Sequence, residues 1–163
     1  MRPSAAVPLF LVAALTVALP VAARACSCTN YPDFDRAYAQ SDAIFLGEVL
    51  EVTSAAPGYY DAVWATVRVE AHWKGAPPET VRVLTGANDG NCGFGFQTGE
   101  RYLVYAFRGE YGAWGGPPLS TGEVLTHLCW RTHGYWAGDP DLVSLGPVPV
   151  AVGSWGSVKV RYR

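Results

Sequence analysis

Residues 62–73 read AVWATVRVEAHW, and this stretch decides the fold class because its side chains alternate in character. One face carries Val63, Ala65, Val67, Val69, Ala71 and Trp73; the other carries Trp64, Thr66, Arg68, Glu70 and His72. Successive side chains of a strand point to opposite faces, so the alternation predicts a long, half-buried β-strand. We expect Val67 to face inward, and Arg68 and His72 to face solvent.

Similar patterns lie on both sides of this strand. Strand composition recurs at residues 43–53, 80–84, 100–108 and 120–128. Gly47 interrupts the first of these segments, and a glycine within a strand often marks a bulge or a sharp bend. In the second segment the alternation places Val81 and Val83 inward. Several short strands joined by turns are typical of a sandwich or a barrel.

Two short helices flank the predicted strands. Residues 33–40 form the first, capped by Asp33, with Phe34, Ala37 and Tyr38 on one side. The second begins at 139–141, where proline lies just inside the start, and it ends near Gly146. The 18 glycines and 12 prolines also argue against a helical bundle. We expect residues 147–163 to be a tail that adds an edge strand, and a frayed tail is the alternative.

Residues 1–25 have the three parts of a secretory signal peptide. Arg2 is basic, residues 7–19 are apolar, and small residues stand at Ala23 and Ala25. Pro8 and Pro20 bracket the apolar run and leave it shorter than the roughly 20 residues of a membrane span. We therefore expect cleavage after residue 25, no stable membrane anchor, and a secreted or extracytoplasmic protein, either extracellular or periplasmic.

The charges and motifs exclude several function classes. The chain has 12 basic and 14 acidic side chains, and two of the basic ones lie in the leader. A nucleic-acid partner, which would need a basic face, is therefore not expected. The sequence contains no metalloprotease helix, nucleotide-binding loop or nucleophile elbow. Its three histidines do not have metal-ligand spacing, so we expect neither an enzyme nor a cofactor of its own.

The four cysteines, Cys26, Cys28, Cys92 and Cys129, all follow the predicted leader. An even number of cysteines in a secreted chain predicts two disulfides. Four cysteines allow three pairings, and a bridge between Cys26 and Cys28 would close a strained ring. Two pairings stay open, and both tie the mature N-terminus to distant loops.

Five motifs resemble the inhibitory N-terminal domain of the tissue inhibitors of metalloproteinases. They are CSCT at 26–29, SDAIFLGEV at 41–49, NCG at 91–93, GERYLVY at 99–105 and LC at 128–129. The resemblance implies a mainly β, netrin-like OB fold over residues 26–146. This fold is a five- to six-stranded Greek-key barrel with one or two short flanking helices. The family's pairing implies Cys26–Cys92 and Cys28–Cys129.

The resemblance also implies a function: the chain would be a secreted inhibitor of zinc metalloproteases. The Cys26 amine and carbonyl would chelate the zinc of the target enzyme. An α-amino group, with a pKa of about 7.7–8.0, has a useful neutral fraction near pH 7. The other implied target-binding residues are Ser27, Cys28, Thr29, Asp89, Gly90 and Asn91. The Cys26–Cys92 bridge would hold residues 26–29 against the loop at 89–91 and so reduce the entropy lost on binding.

The alternative is a netrin-like module without inhibitory activity. It would bind a protein or glycan through the barrel face and through aromatic loops, because OB barrels host oligosaccharide sites. Residues 109–118 form a Gly- and Pro-rich loop with Tyr111 and Trp114, which could stack on a sugar ring. In both hypotheses we expect a monomer whose partner is a zinc metalloprotease or another extracellular protein. Only the inhibitor requires a free Cys26 amine.

Overall fold

The computed structural model describes residues 26–28, 30–56, 58, 62–109 and 116–147. The predicted leader, Thr29, the loop residues Tyr111 and Trp114, and the tail after Pro147 lie outside these residues. In the part described, strands predominate over helices. No helix there is long and apolar enough to cross a membrane.

Six strands and two short α-helices make up the described fold. The strands are β1 (Ala43–Ser54), β2 (Ala62–Lys74), β3 (Thr80–Gly86), β4 (Arg101–Ala106), β5 (Val124–Leu125) and β6 (His133–Gly134). The α-helices are α1 (Phe34–Gln40) and α2 (Pro140–Leu145), and a 3-10 helix covers Asp89–Asn91. The prediction of a mainly β fold with two flanking helices is confirmed.

The strands form one curled sheet in the order β5-β3-β2-β1-β4-β6. Neighbouring strands are antiparallel except β3 and β5, which are parallel. Just beyond β4, Phe107 bridges Leu125 of β5 through hydrogen bonds of 3.0 and 2.9 Å. β5 therefore contacts both β3 and the end of β4, which curls the sheet into a barrel with the strand order of an OB fold.

The barrel interior is an apolar cluster to which strands β1 to β5 contribute. Its buried members are Ala43, Phe45, Val49, Ala65, Val67, Val81, Val83, Phe96, Tyr102, Val104, Ala106 and Val124. Val67 is completely buried and pairs with Val49 on one side and Val81 on the other. The inward prediction for Val67, Val81 and Val83 is confirmed, as is the exposure of Arg68 and His72.

The pairing of β1 is irregular at Gly47, as predicted, and the extra residue, Glu70, lies in the partner strand β2. The β1–β2 register shifts between Leu46 and Gly47, and a Cβ added at Gly47 would lie 2.6 Å from the Arg68 carbonyl oxygen. A further shift lies between Ile44 and Phe45. These shifts break the strict alternation near the end of β2, so the predicted inward position of Trp73 is wrong.

Trp73 instead packs in a second cluster, between the outer face of the sheet and the helices. This cluster contains Ala37, Ile44, Leu103 and Tyr105, with Trp130, Leu142 and Leu145 at its margin. The Trp73 indole N–H donates to the Gly146 carbonyl oxygen at 3.3 Å.

Trp64 also departs from the prediction. The alternation places it on the polar face of β2, but its side chain is only 5% exposed. It packs with Leu84 and Leu125 in a third cluster, and the Arg82 guanidinium lies 4.1 Å from its ring centre. The outer face of β2 is thus partly a core surface.

The helix ends follow the predicted capping. Asp33 accepts from the Arg36 N–H at 2.9 Å and caps α1, whose Ala37 is fully buried while Tyr38 is 40% exposed. Asp139 caps α2 and Gly146 follows its end. The predicted strand at 120–128 is wrong in extent, since only two of its residues form β5. β6 was not predicted.

Candidate functional site

Two disulfides hold the start of the described chain. Cys26 bonds to Cys92 and Cys28 bonds to Cys129, with Cα–Cα distances of 5.3 and 5.1 Å. The Cys26 and Cys129 sulfur atoms lie 3.8 Å apart, so the two disulfides form one cluster. These are the pairs that the resemblance implies. Residues 26–28, called the N-terminal ridge below, are thereby fixed to two separate loops.

The ridge presents side chains to solvent although both of its cysteines are bonded. Ser27 and Cys28 are exposed and Cys26 is half-buried. Thr29 lies outside the described residues, so its predicted role stays a prediction. A short exposed segment with a covalent anchor at each end has little conformational freedom to lose on binding.

The loop before Cys92 is closed by its own hydrogen bonds. The Asn88 side chain accepts from the Gly90 N–H at 2.8 Å, and the Asn88 N–H donates to the Asn91 side-chain oxygen at 3.1 Å. This reciprocal capping builds the 3-10 helix over 89–91. It ends at Cys92, whose φ of 57° is in the left-handed region. Asp89 and Gly90 are exposed and Asn91 is half-buried.

Contacts at the base of this loop fix it to the barrel. Gly93 lies so close to the Gly86 carbonyl that an added Cβ would overlap it. The Phe94 N–H donates to the buried Thr85 hydroxyl at 2.8 Å, and the Leu128 N–H donates to the Cys92 carbonyl at 2.8 Å. The loop therefore has a defined position relative to β3 and to the segment that carries Cys129.

The structure joins the two predicted target-binding segments through a single bond. Cys26–Cys92 links the N-terminal ridge to the loop that holds Asp89, Gly90 and Asn91. The exposed part of this site consists of backbone groups, a hydroxyl and one carboxylate. It contains no nucleophile paired with a base, and its described residues offer shape and hydrogen bonds.

A buried ion-pair network beside the ridge was not predicted from the sequence. The Arg131 guanidinium donates twice to Asp141, Nε to Oδ2 at 2.6 Å and Nη2 to Oδ1 at 2.7 Å. The Tyr105 hydroxyl donates to the same carboxylate at 2.8 Å. The third guanidinium nitrogen, Nη1, donates to the Pro32 carbonyl at 3.2 Å. The network thus connects β4 and α2 with the segment that follows the ridge.

A histidine and a second aspartate extend this network. The two His133 ring nitrogens lie 2.7 Å from the Arg131 carbonyl oxygen and 2.7 Å from Asp139 Oδ2. Ligand atoms of His133, Asp139 and Asp141 approach within 4.8 Å, a spacing that could hold a cation. However, both Asp141 oxygens already accept from Arg131, which brings its own positive charge. The cluster is an ion-pair network whose ligand atoms are occupied.

The pKa values in the network follow from burial and pairing. Burial alone would raise the pKa of Asp141, but hydrogen bonds from Arg131 and Tyr105 outweigh it and hold that pKa below its usual value. Burial and the hydrogen bond to Asp141 raise the pKa of Tyr105 far above its usual range. At neutral pH the aspartate is therefore charged and the phenol protonated, and each keeps its role in the hydrogen bond.

A second histidine lies in an aromatic setting near the cysteine cluster. The His127 ring centre is 5.6 Å from that of Phe107 and 5.7 Å from that of Trp130. Burial lowers the pKa of His127. The residue directly after it, Leu128, donates its backbone N–H to Cys92, so His127 immediately precedes a contact that positions the loop.

The sequence matches no protein-family model, and no curated protein matches it.

Proposed function

We propose that this chain is a secreted inhibitor of zinc metalloproteases that acts through its N-terminal ridge. One observation carries the proposal: the two disulfides fix residues 26–28 beside the loop at 89–91 while Ser27 and Cys28 stay exposed. After cleavage behind Ala25, the first residue would be Cys26. Its amine and carbonyl oxygen would then form a five-membered chelate with the zinc of a target protease.

The chemistry of a metalloprotease site suits such a ligand. A catalytic zinc keeps one coordination position open for water. A neutral α-amine can displace this water, and because zinc competes with a proton for the nitrogen, affinity should rise with pH up to about 7.7–8.0. Ser27 would point at the specificity pocket of the protease, where its small side chain avoids clashes without filling the space.

Extending the N-terminus by one alanine tests the proposal. The extension replaces the amine by a peptide nitrogen without an available lone pair, and it leaves both disulfides possible. We expect the protein that begins at Cys26 to inhibit at least one member of a zinc-metalloprotease panel and the extended protein to lose that inhibition. Ser27→Ala is the matched control, since it keeps the amine and should retain inhibition within about tenfold.

Melting temperatures establish that all three proteins fold equally well. Equal inhibition by the native and extended proteins would exclude ligation by the amine. Absence of inhibition across the panel would refute the proposed function.

A netrin-like module that binds a glycan or protein is the second candidate, favoured by an exposed aromatic surface beside β6. Trp136 is 49% exposed with its ring centre 5.0 Å from that of His133, and Arg101 lies 4.3 Å from the ring centre of Tyr135. Aromatic rings next to charged side chains suit a sugar ring. If a glycan array detects binding that Trp136→Ala abolishes and Leu50→Ala preserves, this function replaces the first.

A further inference from the structure

We infer that Arg131 is a positioning residue for the N-terminal ridge: it holds the Pro32 carbonyl and so fixes the chain where it leaves the ridge. The inference rests on the proposed function for its effect on inhibition. Its effect on the conformation of the segment can be measured separately.

The chain that follows the ridge is attached at two nearby points. Cys28 is bonded to Cys129, and Pro32 accepts a hydrogen bond from Arg131, only two residues further along. One short stretch of chain therefore holds both the ridge and the residue before the cap of α1. The Pro32 contact is thus a second point, after the Cys28–Cys129 bond, at which this stretch holds the segment.

Arg131 is itself held in place by its neighbours. Its guanidinium makes a two-bond fork with Asp141, whose side chain is only 4% exposed. Its carbonyl oxygen lies 2.7 Å from a ring nitrogen of His133, which also contacts the Asp139 cap of α2. Because both the guanidinium and the backbone carbonyl of Arg131 are held, its Nη1 donor points at the Pro32 carbonyl in one orientation.

The contacts of Arg131 require the shape of a guanidinium group. A guanidinium presents five donors in a planar fork, so it can bind the carboxylate with two of them and still donate to a carbonyl. Lysine has a single ammonium group and keeps the charge, but it cannot reproduce the fork together with the Pro32 bond. Arg131→Lys therefore loosens the segment but still places a positive charge beside Asp141.

Tyr105→Phe is the matched control variant. It removes one hydrogen bond to Asp141, at 2.8 Å, and leaves the bond from Arg131 to Pro32 in place.

The experiment is hydrogen–deuterium exchange of the disulfide-bonded protein, read by mass spectrometry on the peptide that spans residues 26–36 and on a peptide from β1. We expect R131K to speed exchange in the first peptide about tenfold and to leave the second unchanged. Y105F should leave exchange in both peptides unchanged. In parallel, the inhibition constant of R131K against a protease that the native protein inhibits should rise about tenfold.

Unchanged exchange in the 26–36 peptide of R131K would overturn the inference. An equal increase in Y105F would also overturn it, because general destabilisation would then explain the effect. If the native protein inhibits no protease, the proposed function fails, while the exchange comparison still decides whether Arg131 positions the ridge.

Discussion

Replacing Val67 by alanine tests the barrel core at its centre. Val67 is fully buried and pairs with Val49 and Val81 in the adjacent strands, and its Cγ1 lies close to Gly47. The substitution removes two methyl groups, worth about 1.6 kcal/mol by transfer, and leaves a cavity between three strands. We expect the free energy of unfolding to fall by about 2–3 kcal/mol and the melting temperature to fall by about 8–12 °C.

The neighbouring Arg68 gives the matched control. Its side chain is 50% exposed and its ion pair with Glu48 is at the surface. Exposed pairs contribute about 0–1 kcal/mol, so Arg68→Ala should lower the melting temperature by less than about 4 °C. Urea titration with a common m-value measures both variants. Equal losses of stability would refute the inward position of Val67 and the register of β2.

Three further predictions concern Gly47, Asp141 and His127. Gly47→Ala should destabilise the fold by more than about 1 kcal/mol, because its Cβ would lie 2.6 Å from the Arg68 carbonyl oxygen; an unchanged urea midpoint would contradict the bulge. Asp141→Asn should cost about 2–3 kcal/mol, since Arg131 loses its carboxylate partner, and a loss below about 0.5 kcal/mol would show that the ion pair is not structural. Burial lowers the pKa of His127, so the unfolded chain binds the proton more readily than the folded chain. The stability contributed by neutral His127 is therefore lost as pH falls from about 6.5 through the folded-state pKa. His127→Gln should remove that part of the pH dependence in urea titrations, and a slope equal to that of the native protein would contradict it.

The elements of the fold that depend on local sequence were predictable. Alternation over β2 and β3 placed Val67, Val81 and Val83 correctly because every second residue of a paired strand shares one face. Capping by Asp33 and Asp139 fixed the start of both helices, because a side-chain oxygen there satisfies a backbone N–H that the helix leaves open.

Features that depend on distant partners were not predictable. Trp73 changed faces because it is an extra residue of β2 at a register shift against β1, and Trp64 is covered by Arg82 from the next strand. β6 has two residues, too few to form a pattern. The partners of Arg131 lie 10 residues away at Asp141 and 99 residues away at Pro32, and neither spacing forms a motif.

The candidate site likewise has one part that was predictable from the sequence and one that was not. The cysteine spacing left two pairings open, and the family resemblance selected the one that the structure has. The capped loop at 89–91, by contrast, depends on Asn88, whose reciprocal bonds with Gly90 and Asn91 were not expected from the sequence.

The measurement that tests the central claim most directly compares binding to a zinc-loaded and a zinc-free metalloprotease. The protein that begins at Cys26 is titrated into a protease that it inhibits, then into the same protease after chelation of the metal, and again after zinc is restored. If the Cys26 amine and carbonyl ligate the zinc, affinity falls at least about a hundredfold on metal removal, equivalent to about 2.7 kcal/mol, and returns with zinc. Equal affinity for both forms of a protease whose fold is unchanged by chelation would contradict the claim.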